Sequence, residues 1–124
     1  MNNLTILTEL FTDNNYDFNN NPLLKLNENV IIFIEHKDYN YITKIRTNYE
    51  NKTYLMIVSK ENFINDKVTF IKKMIEVNPF KSNNFGWCDI NYINTYLSKG
   101  FLPIKIKLSI LTNNLIENCF LIDI

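Results

Sequence analysis

Val30-Ile31-Ile32-Phe33-Ile34 is five apolar residues in a row, each β-branched or aromatic. A strand with one face in water alternates polar with apolar residues. A strand buried on both faces of a parallel sheet reads instead as an unbroken run. The stretch therefore predicts a central strand of a parallel sheet, covered by helices on both sides.

Outward from this strand, two periods alternate. Upstream, residues 4–11 (LTILTELF) predict a first strand. Residues 13–21, with five Asn in nine, predict a loop that ends at Pro22-Leu23-Leu24. Downstream, Asp38 is placed to cap a helix over 39–48 that carries Tyr41, Ile42, Ile45 and Tyr49 on one face. Residues 53–58 (TYLMIV) predict the next strand, and Ser59 a cap for a longer helix over 60–77. That helix repeats Ile64, Val68, Ile71 and Ile75, with Phe63, Phe70 and Met74 widening the stripe, until Asn78-Pro79 stops it. A short strand, Phe85-Gly86-Trp87-Cys88, leads into Asp89, and a helix over 91–98 closes at Lys99-Gly100. Residues 103–112 (PIKIKLSILT) set Ile104, Ile106 and Leu108 against Lys105, Lys107 and Ser109, the pattern of an edge strand guarded by lysines. Residues 119–124 (CFLIDI) predict a last strand. The whole reads as one α/β domain over 1–124, three-layered and Rossmann-like, with a mostly parallel sheet.

Composition narrows the functional classes. The chain has 124 residues, 46% hydrophobic and 14% aromatic, too rich for disorder. Thirteen basic and thirteen acidic side chains cancel, which argues against a binder that tracks nucleic-acid phosphates. The 22 Asn, 18 Ile and 12 Lys beside a single Arg and no Ala reflect AT-rich codons rather than function. Residues 1–8 lack a basic n-region and a long apolar core, so no signal peptide is expected, and no apolar run approaches the ~20 residues of a membrane span. The expected setting is cytoplasmic, with Cys88 and Cys119 as reduced, buried thiols. With only Gly86 and Gly100 present, glycine-loop phosphate cradles are excluded.

In parallel sheets the chemistry gathers at the carboxyl ends of strands, which directs attention to Glu35-His36, Ser59-Lys60 and Asp89-Ile90-Asn91. Asp89 suits a hard cation or a ribose hydroxyl, with Asn91 two residues on. It suits equally the cap of the helix that follows. His36, the only histidine, is a conceivable general base but has no second metal ligand at a usual spacing, and a polar surface residue is the commoner case. Arg46, the sole Arg, brings a planar fork for phosphate or carboxylate, or else a surface ion pair.

Five segments in order resemble the HtrL/YibB family, a group related to GT-A-type glycosyltransferases. Pro22-Leu23 before Val30-Ile31-Ile32-Phe33 is similar to its "P-(V/I)-V-(I/V)-F" entry strand. Ile42-Thr43-Lys44-Ile45-Arg46 is similar to "I-x-x-(I/L)-R", and Asn51-Lys52-Thr53 to "x-K-T". Asn78-Pro79-Phe80 and Phe85-Gly86-Trp87-Cys88-Asp89-Ile90-Asn91 resemble "NPF" and "F-x-W-(I/L)-D-(F/A)-G". The likeness covers about residues 22–91. It implies a partial GT-A-like domain in which an apolar strand ends on an acidic residue that holds metal and sugar-nucleotide diphosphate. On that resemblance Asp89 contacts Mn²⁺ or Mg²⁺, and Asp89, Asn91 and Arg46 hold a nucleotide-sugar. The chain departs from the pattern at Asn91, where the family has Gly, and in lacking a second Asp of a DxD pair. It also ends at Ile124, where family members continue with the acceptor side, so turnover is not implied. The other expectation, from a different class, is a small non-catalytic α/β module of viral or phage type. Such a module would bind a protein partner or a second copy through open sheet edges.

Overall fold

A computed structural model describes residues 3–11, 22–101, 104–113 and 119–124. Strands β1 (Leu4–Glu9), β2 (Asn29–Ile34), β3 (Thr53–Ile57), β4 (Asn84–Cys88), β5 (Lys105–Lys107) and β6 (Cys119–Asp123) form one sheet in the order β3-β2-β1-β4-β6-β5. The β1–β2, β2–β3 and β1–β4 pairs are parallel. β6 runs antiparallel to β4, and β5 lies parallel to β6. The expected α/β architecture with a mostly parallel sheet is what forms.

Val30 to Ile34 are all fully buried, as the unbroken apolar run requires. Their side chains alternate between two cores. Ile31 and Phe33 join Leu7, Trp87 and Phe63 on one face, beneath helices α2 (Lys60–Asn65) and α3 (Lys67–Val77). Val30, Ile32 and Ile34 join Ile6 on the other, beneath α1 (Tyr39–Ile45) and α4 (Ile93–Lys99). Phe63 is the hub of the first core: its ring centroid lies 4.6 Å from Phe33, 5.4 Å from Phe11 and 5.6 Å from Phe70, and it stacks on Trp87 at 6.3 Å.

Several expectations need correction. The helix foreseen over 60–77 is two helices, broken at Asp66 (φ −150°, ψ 55°). Asn113 holds the break from a distance: its Nδ2 donates to the Asn65 carbonyl at 2.8 Å, and its Oδ1 accepts from the Val68 N–H at 3.2 Å. The break turns Ile64 outward and leaves Phe63 as the buried residue of α2. The Ser59 cap is as expected, its Oγ accepting from the Asn62 N–H at 3.1 Å. Asp38 makes no such capping bond, and α1 ends at Ile45, with the tightly wound turns Thr47–Lys52 following. Within 103–112 only Lys105–Lys107 is strand, because Leu108–Ile110 winds into a 3₁₀ turn; Pro103 and the Asn-rich stretch 13–21 lie outside the described residues. Cys88 and Cys119, expected as thiols, face each other across the β4–β6 ladder and form a disulfide. The antiparallel reversal of β6, invisible in the local sequence, brings them together.

Gly86 sits under Phe101: a Cβ there would collide with the ring. Gly86→Ala should push that ring off Tyr96, its partner at 4.8 Å, and destabilise the fold by about 1–3 kcal/mol in urea titrations. Thiol titration of protein unfolded without reductant should count no free cysteine, and reduction should lower stability by about 2–4 kcal/mol. Two titratable thiols would show the pair to be reduced.

Candidate functional site

A sheet that runs β3-β2-β1-β4 leaves β1 rightward to β4 and leftward to β2, so the crossovers diverge between β1 and β4. In doubly wound sheets a crevice opens at this point, outside the carboxyl ends of the two strands. Here those ends carry Glu9 on β1 and Asp89 directly after β4. The register pairs Leu7 with Trp87, so Glu9 and Asp89 each stand two residues past the last pair at the same end of the sheet, close enough for the Asp89 charge to act on Glu9.

Glu9 is nearly buried and meets Lys67 Nζ at 3.6 Å, from the first residue of α3. Burial pushes its carboxyl above the ordinary value. Lys67 pulls it partly back, and the Asp89 charge pushes it up again. Lys60, at the start of α2, adds a weaker favourable field. Asp89 is half-buried with extended backbone, and its Oδ1 accepts the Asn91 N–H at 2.9 Å. Asp89 therefore does cap the following turn, as one of its two sequence readings had it. A single oxygen serves that bond, and a carboxylate has two.

The same carboxyl edge extends past β2 and β3. A cavity of about 540 Å³ is lined by Glu35, Ser59, Lys60, Glu61, Ile64 and Asn65. All three strand-end segments singled out from sequence thus lie at the carboxyl edge. His36 is exposed in a short 3₁₀ turn after β2. Cys88, in its disulfide, is not a nucleophile.

Arg46 is elsewhere. It follows α1, which returns toward the amino ends of the strands, and it is 1% exposed. Its Nε donates to Thr53 Oγ1 at 3.0 Å, its Nη1 to the carbonyls of Leu23 and Leu26, and its Cζ lies 4.8 Å from the Tyr49 ring centroid. The structure brings Asp89 and Asn91 together but sets Arg46 at the opposite edge of the sheet. Sequence reasoning missed Glu9 and Lys67. Their pairing depends on where α3 begins, which the helix break decides.

Two carboxylates on neighbouring strand ends are hard oxygen donors, the kind Mg²⁺ and Mn²⁺ take, with water and ligand phosphates completing the shell. Among the described residues no group of three or more His, Cys, Asp or Glu side chains converges on one point. Among the same residues no helix is long and apolar enough to cross a membrane. Comparison with known proteins finds no matching family model, no matching curated protein and no matching solved structure.

The raised Glu9 carboxyl has a definite sign. Because its folded value lies above the unfolded one, its contribution is complete in acid and is lost as pH rises through the folded value. Glu9→Gln should therefore unfold at a higher temperature than wild type at pH 7, and the two curves should merge below about pH 4. A less stable variant at pH 7 would mean that Lys67 outweighs burial.

Proposed function

We propose that this chain is a partial GT-A-like domain that binds a nucleotide-sugar at the crevice between β1 and β4. The observation that carries the reading is the carboxylate pair Glu9 and Asp89 at the switch point, with Lys67 against it. A sugar-nucleotide brings a diphosphate, which needs positive charge, and a metal ion supplies it when bound. Asp89 and Glu9 would hold that ion. Lys67, now on Glu9, and Lys60 at the neighbouring helix start are placed to meet phosphate oxygens. The disulfide at Cys88 and the bond to the Asn91 N–H hold Asp89 in position. In this reading Arg46 takes no part in the crevice, and the role that the family resemblance implied for it is withdrawn. The proposal is binding; no base for an acceptor hydroxyl is assigned.

A second reading has its own observation. The two sheet edges differ: β5 is three residues long and flanks Ile106 with exposed Lys105 and Lys107, whereas β3 (TYLMI) carries no charge and exposes Tyr54 and Ile57. Lysines discourage edge pairing, and β3 lacks them, which favours an interaction module that adds a strand there.

Thermal unfolding with Mn²⁺ and a panel of UDP- and GDP-sugars separates the two. Ligand at 100 times its Kd adds about 2.7 kcal/mol, a clear rise in midpoint. That rise should require metal and vanish in Asp89→Ala. A cooperative transition that no donor moves would overturn the binding proposal and favour the β3 edge.

A further inference from the structure

β3 is an outer strand with one side unpaired: among the described residues β2 is its only neighbour in the sheet. The Val58 N–H donates to the Ile34 carbonyl at 2.8 Å, toward β2. Backbone groups along a strand alternate in direction with period two, so Tyr54 and Met56 point the same way as Val58. The N–H and C=O groups of Leu55 and Ile57, with the Thr53 C=O, therefore face outward to the open edge. The Thr53 N–H does not join them, because it donates to the Glu50 carbonyl. Outward backbone groups of this kind are a template for another strand.

The template is suited to a copy of itself. β3 holds neither charge nor proline, and its Tyr54 and Ile57 side chains are about two-fifths exposed, on opposite faces of the sheet. The chain carries a formal net charge of zero, so two copies approach without long-range repulsion. Charges stand only beyond the strand: exposed Glu50 lies five residues before Leu55, and exposed Lys60 five residues after it. An antiparallel copy centred on Leu55 brings Glu50 of each chain toward Lys60 of the other, whereas a parallel copy sets Glu50 beside Glu50 and Lys60 beside Lys60. The charge pattern thus selects the antiparallel arrangement, which is also the one that a closed two-fold axis generates.

We propose that β3 docks a second copy of this chain, strand to strand and antiparallel, about a two-fold axis through Leu55. Leu55 then exchanges both backbone hydrogen bonds with Leu55 of the second copy, and each Ile57 N–H donates to the Thr53 carbonyl across the axis. All the outward groups but the Ile57 carbonyl are satisfied, and the Thr53 N–H keeps its bond to Glu50. On one face Tyr54 lies opposite Met56 of the second copy, and on the other Ile57 lies opposite Thr53, so both exposed apolar side chains are covered. Two six-stranded sheets join as one. The dimer rests on the same open edge as the interaction-module reading and names its occupant. Glu9 and Asp89 take no part, and Lys60 is the one side chain that it shares with the crevice.

Sedimentation velocity and amide hydrogen exchange on the intact chain test this. A contact built on one short strand is small, so the expected result is monomer at about 1 μM and dimer at about 500 μM. In the dimer the Leu55 and Ile57 amides should exchange about tenfold more slowly than in the monomer. Ile57→Lys places a lysine on the edge at an exposed position; it should stay monomeric throughout and unfold within about two degrees of the wild-type monomer. Glu50→Lys should weaken association about fivefold, and adding Lys60→Glu should restore it. A chain still monomeric at about 500 μM would overturn the proposal. So would a dimer that leaves the Leu55 and Ile57 amides fast, or one that survives Ile57→Lys. A monomer with those amides fast keeps the edge open for a strand of another protein; a monomer with them slow has its edge closed, and the interaction-module reading falls as well.

Discussion

The rest of the molecule depends on the sealing of β1 and β2 on both faces. Ile6, Leu7 and every residue from Val30 to Ile34 are out of contact with water. Burying a side chain of this size contributes about 1.5–3 kcal/mol, and a two-sided strand collects that on each face only if both are roofed. The connections must therefore alternate sides: α1 and α4 over one core, α2 and α3 over the other. Parallel pairing follows, and with it the alignment of β1, β2, β3 and β4 so that their carboxyl ends share an edge. Polar chemistry is expelled from the interior to that edge. Glu9, Glu35, Ser59 and Asp89 gather there for this reason, and no local motif is needed to explain it.

Glu9 and Arg46, like the buried Asp38, defy the expulsion, and the first two do so differently. Glu9 keeps a cation beside it, and Lys67 offsets part of its burial. Arg46, among the described residues, has only neutral oxygens and a tyrosine face around it. The first carries its own counter-ion; the second is held by backbone carbonyls and a hydroxyl, which tie residues 23–26 to the start of β3. They lie at opposite ends of the strands, Glu9 at the end of β1 and Arg46 against Thr53 at the start of β3.

Much of this was legible in the residues. The run Val30 to Ile34 announced the buried strand, Ser59 announced its cap, and FGWC followed by Asp placed a carboxylate at a strand end. What stayed hidden is non-local. Asn113 reaches back to break a helix at Asp66, and no reading of 60–77 by itself contains that information. The disulfide depends on β6 running antiparallel, which the sequence of β6 does not specify. Glu9 looked like the polar position of an ordinary strand until Asp89 came to stand beside it. Arg46 is the instructive miss: it lies one turn after Ile42, on the same buried stripe, and that spacing alone pointed inward.

How firmly Asp89 is held decides what it can do. The residue before it is tied to β6 through a disulfide, the residue two after it donates to its Oδ1, and Gly86, three before it, lets the Phe101 ring close over the strand. A carboxylate with no such supports would relax away from Glu9, because the two repel. Here those supports hold it at the strand end, where its charge still raises the Glu9 carboxyl. A natural chain tolerates a cost of that kind where a ligand relieves it, since functional sites are bought with stability elsewhere. A divalent cation is the ligand class that relieves two facing carboxylates most directly. The same supports hold Asp89 at the strand end where the proposed reading would have it meet a metal-bearing diphosphate.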